Sequence, residues 1–202
     1  LSIWINIVLT GLKLAAGIFG RSQALIADAV HSLSDFATDI AVLVGLRITS
    51  KPRDEDHAYG HGKYETIVAA IIGLALAYVG LRIAGAAIHR IFDTMKGEPL
   101  TAPSTFAFWA AVVSIVVKEW LYRATMKVAR RTGNAALVAN AWHHRSDAFS
   151  SIATAAGVGA AAFLGHDWLI LDPIAALFVS IFLFKIAWQI VREQVGGLTD
   201  QN

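Results

Sequence analysis

Residues 24–39 read ALIADAVHSLSDFATD, a polar stripe inside an otherwise apolar stretch. Asp28, His31, Asp35 and Asp39 follow one another at spacings of three, four and four, which stacks them along one face of a helix. Ionisable groups at bilayer depth are expensive and are kept for function, so this helix is expected to hold the chain's purpose. Residues 136–147, ALVANAWHHRSD, repeat the pattern. Against residues 24–35 they keep seven of twelve positions, including the His-x-x-x-Asp pair.

The surroundings of these two stretches decide the fold class. Of 202 residues, 56% are hydrophobic and 16% charged, and mean hydropathy is +0.56. That balance is too apolar for a soluble domain of this size and fits an all-α membrane protein. A formal net charge of +2 gives no encouragement to nucleic-acid binding. The absence of cysteine removes disulfides, thiolate zinc sites and nucleophilic cysteine together.

Six transmembrane segments are expected: Ile3–Phe19, Gln23–Ile48, Thr66–Phe92, Thr105–Met126, Asn134–Leu164 and Trp168–Val191. Hydropathy marks the fifth least clearly, because Asn140, His143, His144, Arg145 and Asp147 depress any averaging window. Residues 1–195 form the transport domain in this reading, and residues 196–202 begin a linker to a further domain. Near the segment ends, Arg47, Lys51, Arg53, Lys63, Arg123, Lys127, Arg130 and Arg131 fall on one side, and Arg21, Arg90 and Lys96 on the other. Eight against three places both longer loops and both termini in the cytoplasm.

With six spans, segments two and five cross in opposite directions. Their likeness at an offset of 112 residues then reads as a 3+3 inverted repeat, an arrangement that puts a substrate site near the midplane. His31 with Asp35, and His143 with Asp147, each sit one turn apart on a common face. One imidazole nitrogen and one carboxylate oxygen from each helix make a closed four-ligand set. A tetrahedron with ligand distances of about 2.0–2.2 Å suits zinc. Two imidazoles disfavour Mg, Ca and Mn, which prefer oxygen-rich octahedra, while Cd, Co, Fe and Ni stay compatible. Asp28 and Asn140, one turn earlier, read as supporting or entry groups. His144 points about 100° away from His143 and is left out of the set. Lys13 and Arg145 call for a partner or for snorkelling, which is structural duty.

In GRSQALIADAVHSLSD, PRDEDHAYGHGKYE, ANAWHHRSD and LDPIAAL, nearly the whole chain resembles the cation diffusion facilitator family of six-helix metal/proton antiporters. The resemblance implies a transport site at His31, Asp35, His143 and Asp147 and zinc as the ion carried. It also implies a second, cytoplasm-facing site in the loop after helix two, with Asp54, His57 and His61 as ligands. It further implies a homodimer in a prokaryotic inner membrane and a cytosolic C-terminal domain beyond helix six. No resident cofactor is expected; the metal is cargo.

Proton coupling follows from the ligands themselves. An imidazole must lose its proton to bind metal, so an acidic exterior favours release. An intramembrane zinc hydrolase is the rival of another class. It needs an open coordination position and a base beside bound water, whereas paired ligands close this site and no HExxH is present. A non-transporting metal sensor or scaffold is the third reading, and no residue pattern supports it.

Overall fold

The computed structural model describes residues 2–49, 62–98 and 100–198. Among these the chain is all helical: α1 (Ser2–Phe19), α2 (Gln23–Thr49), α3 (Gly62–Met95), α4 (Thr105–Thr132), α5 (Ala135–Phe163) and α6 (Leu171–Leu198), with a 3₁₀ turn at His166–Trp168. The protein is an all-α membrane protein. Residues 66–95, 105–132 and 166–192 are long and apolar enough to cross a bilayer by composition alone, and Ile3–Phe19 is apolar but shorter. Polar residues break up α5 as expected, and α2 carries the same stripe.

The helix ends differ from the sequence expectation where turn chemistry overrides hydropathy. α4 continues past Met126 through the basic residues Lys127, Arg130 and Arg131 and stops at Gly133, whose φ of 63° only glycine adopts cheaply. Basic side chains in its last turn also suit the helix dipole. The sixth helix begins at Leu171, not Trp168, because Gly165 (φ 97°) opens a separate 3₁₀ turn. Pro173 then occupies the first turn of α6, where its missing N–H breaks no helical bond. α6 runs through Gly196 and Gly197 to Leu198; residues 199–202 lie outside the described residues.

The described chain divides into two units. The first comprises Leu1–Ser32 and Gly85–Val179. Its interior is a seam of alanines, including Ala16, Ala24, Ala27, Ala107, Ala111, Ala141, Ala148 and Ala176, all buried. Small side chains let helix backbones approach closely, which is how helices gain packing energy when lipid offers no hydrophobic drive between them. At Gly157 of α5, an added Cβ would lie 2.5 Å from the Ala175 Cβ and 2.9 Å from the Leu171 carbonyl oxygen of α6. Large apolar side chains such as Trp4, Phe19, Trp109 and Val116 are instead exposed, as lipid contact requires.

The second unit comprises Leu33–Ala84 and Ser180–Asn202. In it α3 packs on α6 through Gly73 and Gly80; an added Cβ at Gly73 would lie 2.8 Å from Val191 Cγ2. The outer face of α3 carries Ile71, Leu74, Tyr78 and Leu81, all exposed.

Candidate metal centre

The start of α2 is fixed by a carboxylate from another helix. α1 ends with the Gly20 N–H donating to the Ala16 carbonyl at 2.8 Å and the Ser22 N–H to the Gly17 carbonyl at 3.0 Å, with Arg21 at φ 55°. Ser22 then caps α2, its hydroxyl oxygen accepting from the Leu25 N–H at 3.1 Å. The same hydroxyl donates to Asp172 Oδ1 at 2.6 Å, and the Gln23 N–H donates to Asp172 Oδ2 at 2.8 Å. Asp172 is buried, so α6 satisfies the N–H groups that α2 cannot satisfy itself. In the sequence reading Asp172 figured only within the LDPIAAL motif.

Two turns further on, α2 meets α5. The Ser151 hydroxyl donates to Asp28 Oδ2 at 3.0 Å, and one ligating atom of His31 lies within 4.8 Å of one of Asp147. Contact positions rise along α2 as they fall along α5, so the two helices run antiparallel here, as the inverted pattern requires. Along α2 itself, His31 and Asp35 bring ligating atoms within 4.8 Å of each other, as their one-turn spacing dictates. His143 Nε2 lies 3.9 Å from Asp147 Oδ2, with the His143 side chain 48% exposed. His143 therefore reaches Asp147 but stands outside the tighter grouping. The expected loop ligands Asp54, His57 and His61 fall outside the described residues.

One turn from this level lies a second polar layer. Lys13 of α1 has 0% side-chain exposure and pairs with Asp28 at 2.8 Å, while donating to the hydroxyls of Ser151 at 3.0 Å and Ser32 at 3.2 Å. Three donors thus meet three acceptors, the condition under which a buried ammonium is tolerable. Lys13 thereby finds the buried partner that its charge calls for, and Asp28 supplies it. Arg145 finds a partner as well: it donates to the Tyr122 hydroxyl at 3.1 Å, and its guanidinium stands 4.6 Å from the Tyr122 ring centre.

Two further residues stand at the metal level: Lys118, which the sequence reading missed, and His144, which it left out of the ligand set. Lys118 of α4 donates to Asp147 Oδ2 at 2.7 Å, with both side chains almost fully buried. The signal was available, since a lysine in VVSIVVKEWLY must find a partner inside the bundle. His144 is 2% exposed, and neither ring nitrogen has a hydrogen-bond partner among the described residues. It turns inward while His143 turns out, with ring centres 6.3 Å apart. Within the first unit the assembled chemistry is the Asp147 carboxylate and the His31 imidazole beside a buried ammonium, with the His143 imidazole at the margin.

Known proteins share this framework along its whole length. A family model described as the cation efflux transmembrane domain matches residues 1–199. The manganese efflux system protein MneP of Bacillus subtilis is 36% identical over 202 residues, covering 98% of this chain and 66% of MneP. The magnetosome protein MamM of Paramagnetospirillum magneticum is 33% identical over 198 residues, covering 98% of this chain and 61% of MamM. Mitochondrial metal transporter 2 of Saccharomyces cerevisiae is 33% identical, and the match covers 43% of it. The chain thus spans about two thirds of the bacterial relatives it matches.

Proposed function

Because the chain belongs to the cation efflux transmembrane-domain family, we propose that it carries divalent transition-metal ions out of the cytoplasm, in exchange for protons, through a site formed by His31, Asp35, His143 and Asp147. The observation that carries the reading is the approach of His31 and Asp147 to within 4.8 Å across two antiparallel helices. Neither residue is near the other in sequence, and a carboxylate beside an imidazole is a standard pair of metal ligands. Members of this family are transporters, not enzymes, which sets aside the hydrolase reading.

Zinc is the ion this ligand set favours, since two imidazoles and two carboxylates fit a tetrahedron. Manganese is the second reading, supported by the names of MneP and MneS, the latter 37% identical over 200 residues. Proton exchange follows from the ligands, because metal binding expels the imidazole protons and an acidic exterior reverses it. Asp54, His57 and His61 form an accessory cytoplasmic site in this proposal, and two copies of the chain make the working transporter in an inner membrane with both termini inside. The majority of Lys and Arg on one side supports that orientation.

The test is flux in proteoliposomes with zinc and with manganese, using wild type, His143→Ala and Asp147→Ala. Loss of flux in both variants is expected; wild-type rates in both refute the site. Zinc flux that ignores an imposed pH gradient refutes proton exchange, and manganese carried in preference to zinc overturns the choice of ion.

A further inference from the structure

We propose that Lys118 is a tethered cation that competes with the metal at Asp147, setting affinity low enough for the ion to be released; this rests on Asp147 being a ligand of the transport site. The Lys118 ammonium lies 2.7 Å from Asp147 Oδ2 and the pair is almost wholly buried. Charge decides the consequence. The Lys118 ammonium and the Asp147 carboxylate neutralise each other. A divalent ion arriving beside that resident ammonium sets three positive charges against one carboxylate, whereas an ammonium that has moved off Asp147 leaves the carboxylate to the ion. Like charges sharing one carboxylate in a low-dielectric interior repel strongly, so metal and ammonium exclude each other.

The position of Lys118 fits such a role better than that of a fixed strut. It comes from α4, outside the two helices that carry the ligands, on a long flexible stem. It contrasts with Lys13 one layer away, whose ammonium is held by Asp28, Ser32 and Ser151 together and stands on no proposed ligand. The consequence is that the buried Asp147 carboxylate is never left uncompensated: the ammonium returns as the ion leaves. A carrier that must load and then discharge its cargo needs that balance, because an ion bound too tightly is not released.

The test is zinc binding to the purified chain in lipid nanodiscs, measured by calorimetry for wild type, Lys118→Met, Lys118→Arg and Asp147→Asn, with thermal unfolding of each with and without zinc chloride. Lys118→Met is expected to bind zinc about ten-fold tighter or more than wild type, with lower KM and lower maximal flux in proteoliposomes. Lys118→Arg keeps wild-type affinity. Without zinc, Lys118→Met unfolds at a lower temperature, since Asp147 has lost its partner, and zinc raises that temperature by more than it raises wild type. Equal or weaker zinc binding by Lys118→Met, with Asp147→Asn still abolishing it, overturns the proposal, because a purely structural lysine predicts that result. Unchanged binding in Asp147→Asn refutes the ligand reading instead, and the proposal with it. If Lys118→Met does not yield folded protein, Lys118→Gln removes the charge while keeping a hydrogen-bond donor, and the same outcomes apply.

Discussion

Asp172 accepts a 2.6 Å hydrogen bond from the Ser22 hydroxyl, joining residues 150 positions apart at the point where α2 begins. Its second oxygen takes the Gln23 N–H. The helix that carries His31 and Asp35 is thereby anchored at its first turn to the first turn of α6.

Asp172→Ala removes the acceptor for Ser22 and Gln23 while leaving those donors buried. A loss of about 1–3 kcal/mol is expected, the cost of unsatisfied buried donors. Unfolding of the purified protein in mild detergent checks it. Unchanged stability means the contact does not anchor α2.

Lys13 and Asp28 form a buried pair that is costly to break from one side only. Lys13→Met alone is expected to destabilise by about 3–5 kcal/mol, and Lys13→Met with Asp28→Leu to recover most of that loss. A double-mutant cycle on unfolding free energy reads the difference. Additive losses count against a coupled pair.

Gly157 lets α5 approach α6, with the Ala175 Cβ where a side chain would go. Gly157→Val forces the helices apart and is expected to cost about 1–3 kcal/mol. The same unfolding measurement applies, and a neutral result implies that the helix pair separates freely.

His143 and His144 are adjacent but differently placed. His144→Leu removes two buried ring nitrogens that have no partner among the described residues, so stability should hold or rise and zinc affinity should stay within about three-fold of wild type. His143→Leu should lower zinc affinity at least about a hundred-fold, the weight of one lost ligand. Calorimetry on both variants decides; the opposite pattern makes His144 the ligand.

Zinc affinity should fall as pH drops from about 8 to about 6, because each ligating imidazole must shed its proton before it can bind. The sign is fixed: more protons in solution means weaker binding. Calorimetry in buffers of different ionisation enthalpy counts the protons released. A count of zero removes the basis for proton exchange.

Several features were legible before any coordinates. The repeated His-x-x-x-Asp on two apolar helices points to a shared site because helical periodicity puts residues one turn apart on one face, whatever the fold around them. Lys13 and Arg145 could be assigned structural duty because a charge inside a membrane has few options. Helix ends were less legible. α4 runs six residues past Met126 because polar, basic residues continue a helix until Gly133 stops it, and hydropathy registers only lipid contact.

The sequence alone therefore determined the class of molecule, the helix faces that bear the chemistry and the residues that make a metal site conceivable. All of these depend on composition and on spacing within a single helix. Only the tertiary structure decided which partner each buried charge takes: Lys13 with Asp28, Lys118 with Asp147, and Asp172 with the first turn of α2. The outward turn of His143 and the inward turn of His144 were likewise decided by how α5 packs on its neighbours. Pairings between helices depend on how the helices are rotated and how far each slides along the next, and neither quantity is written in the period of any one segment.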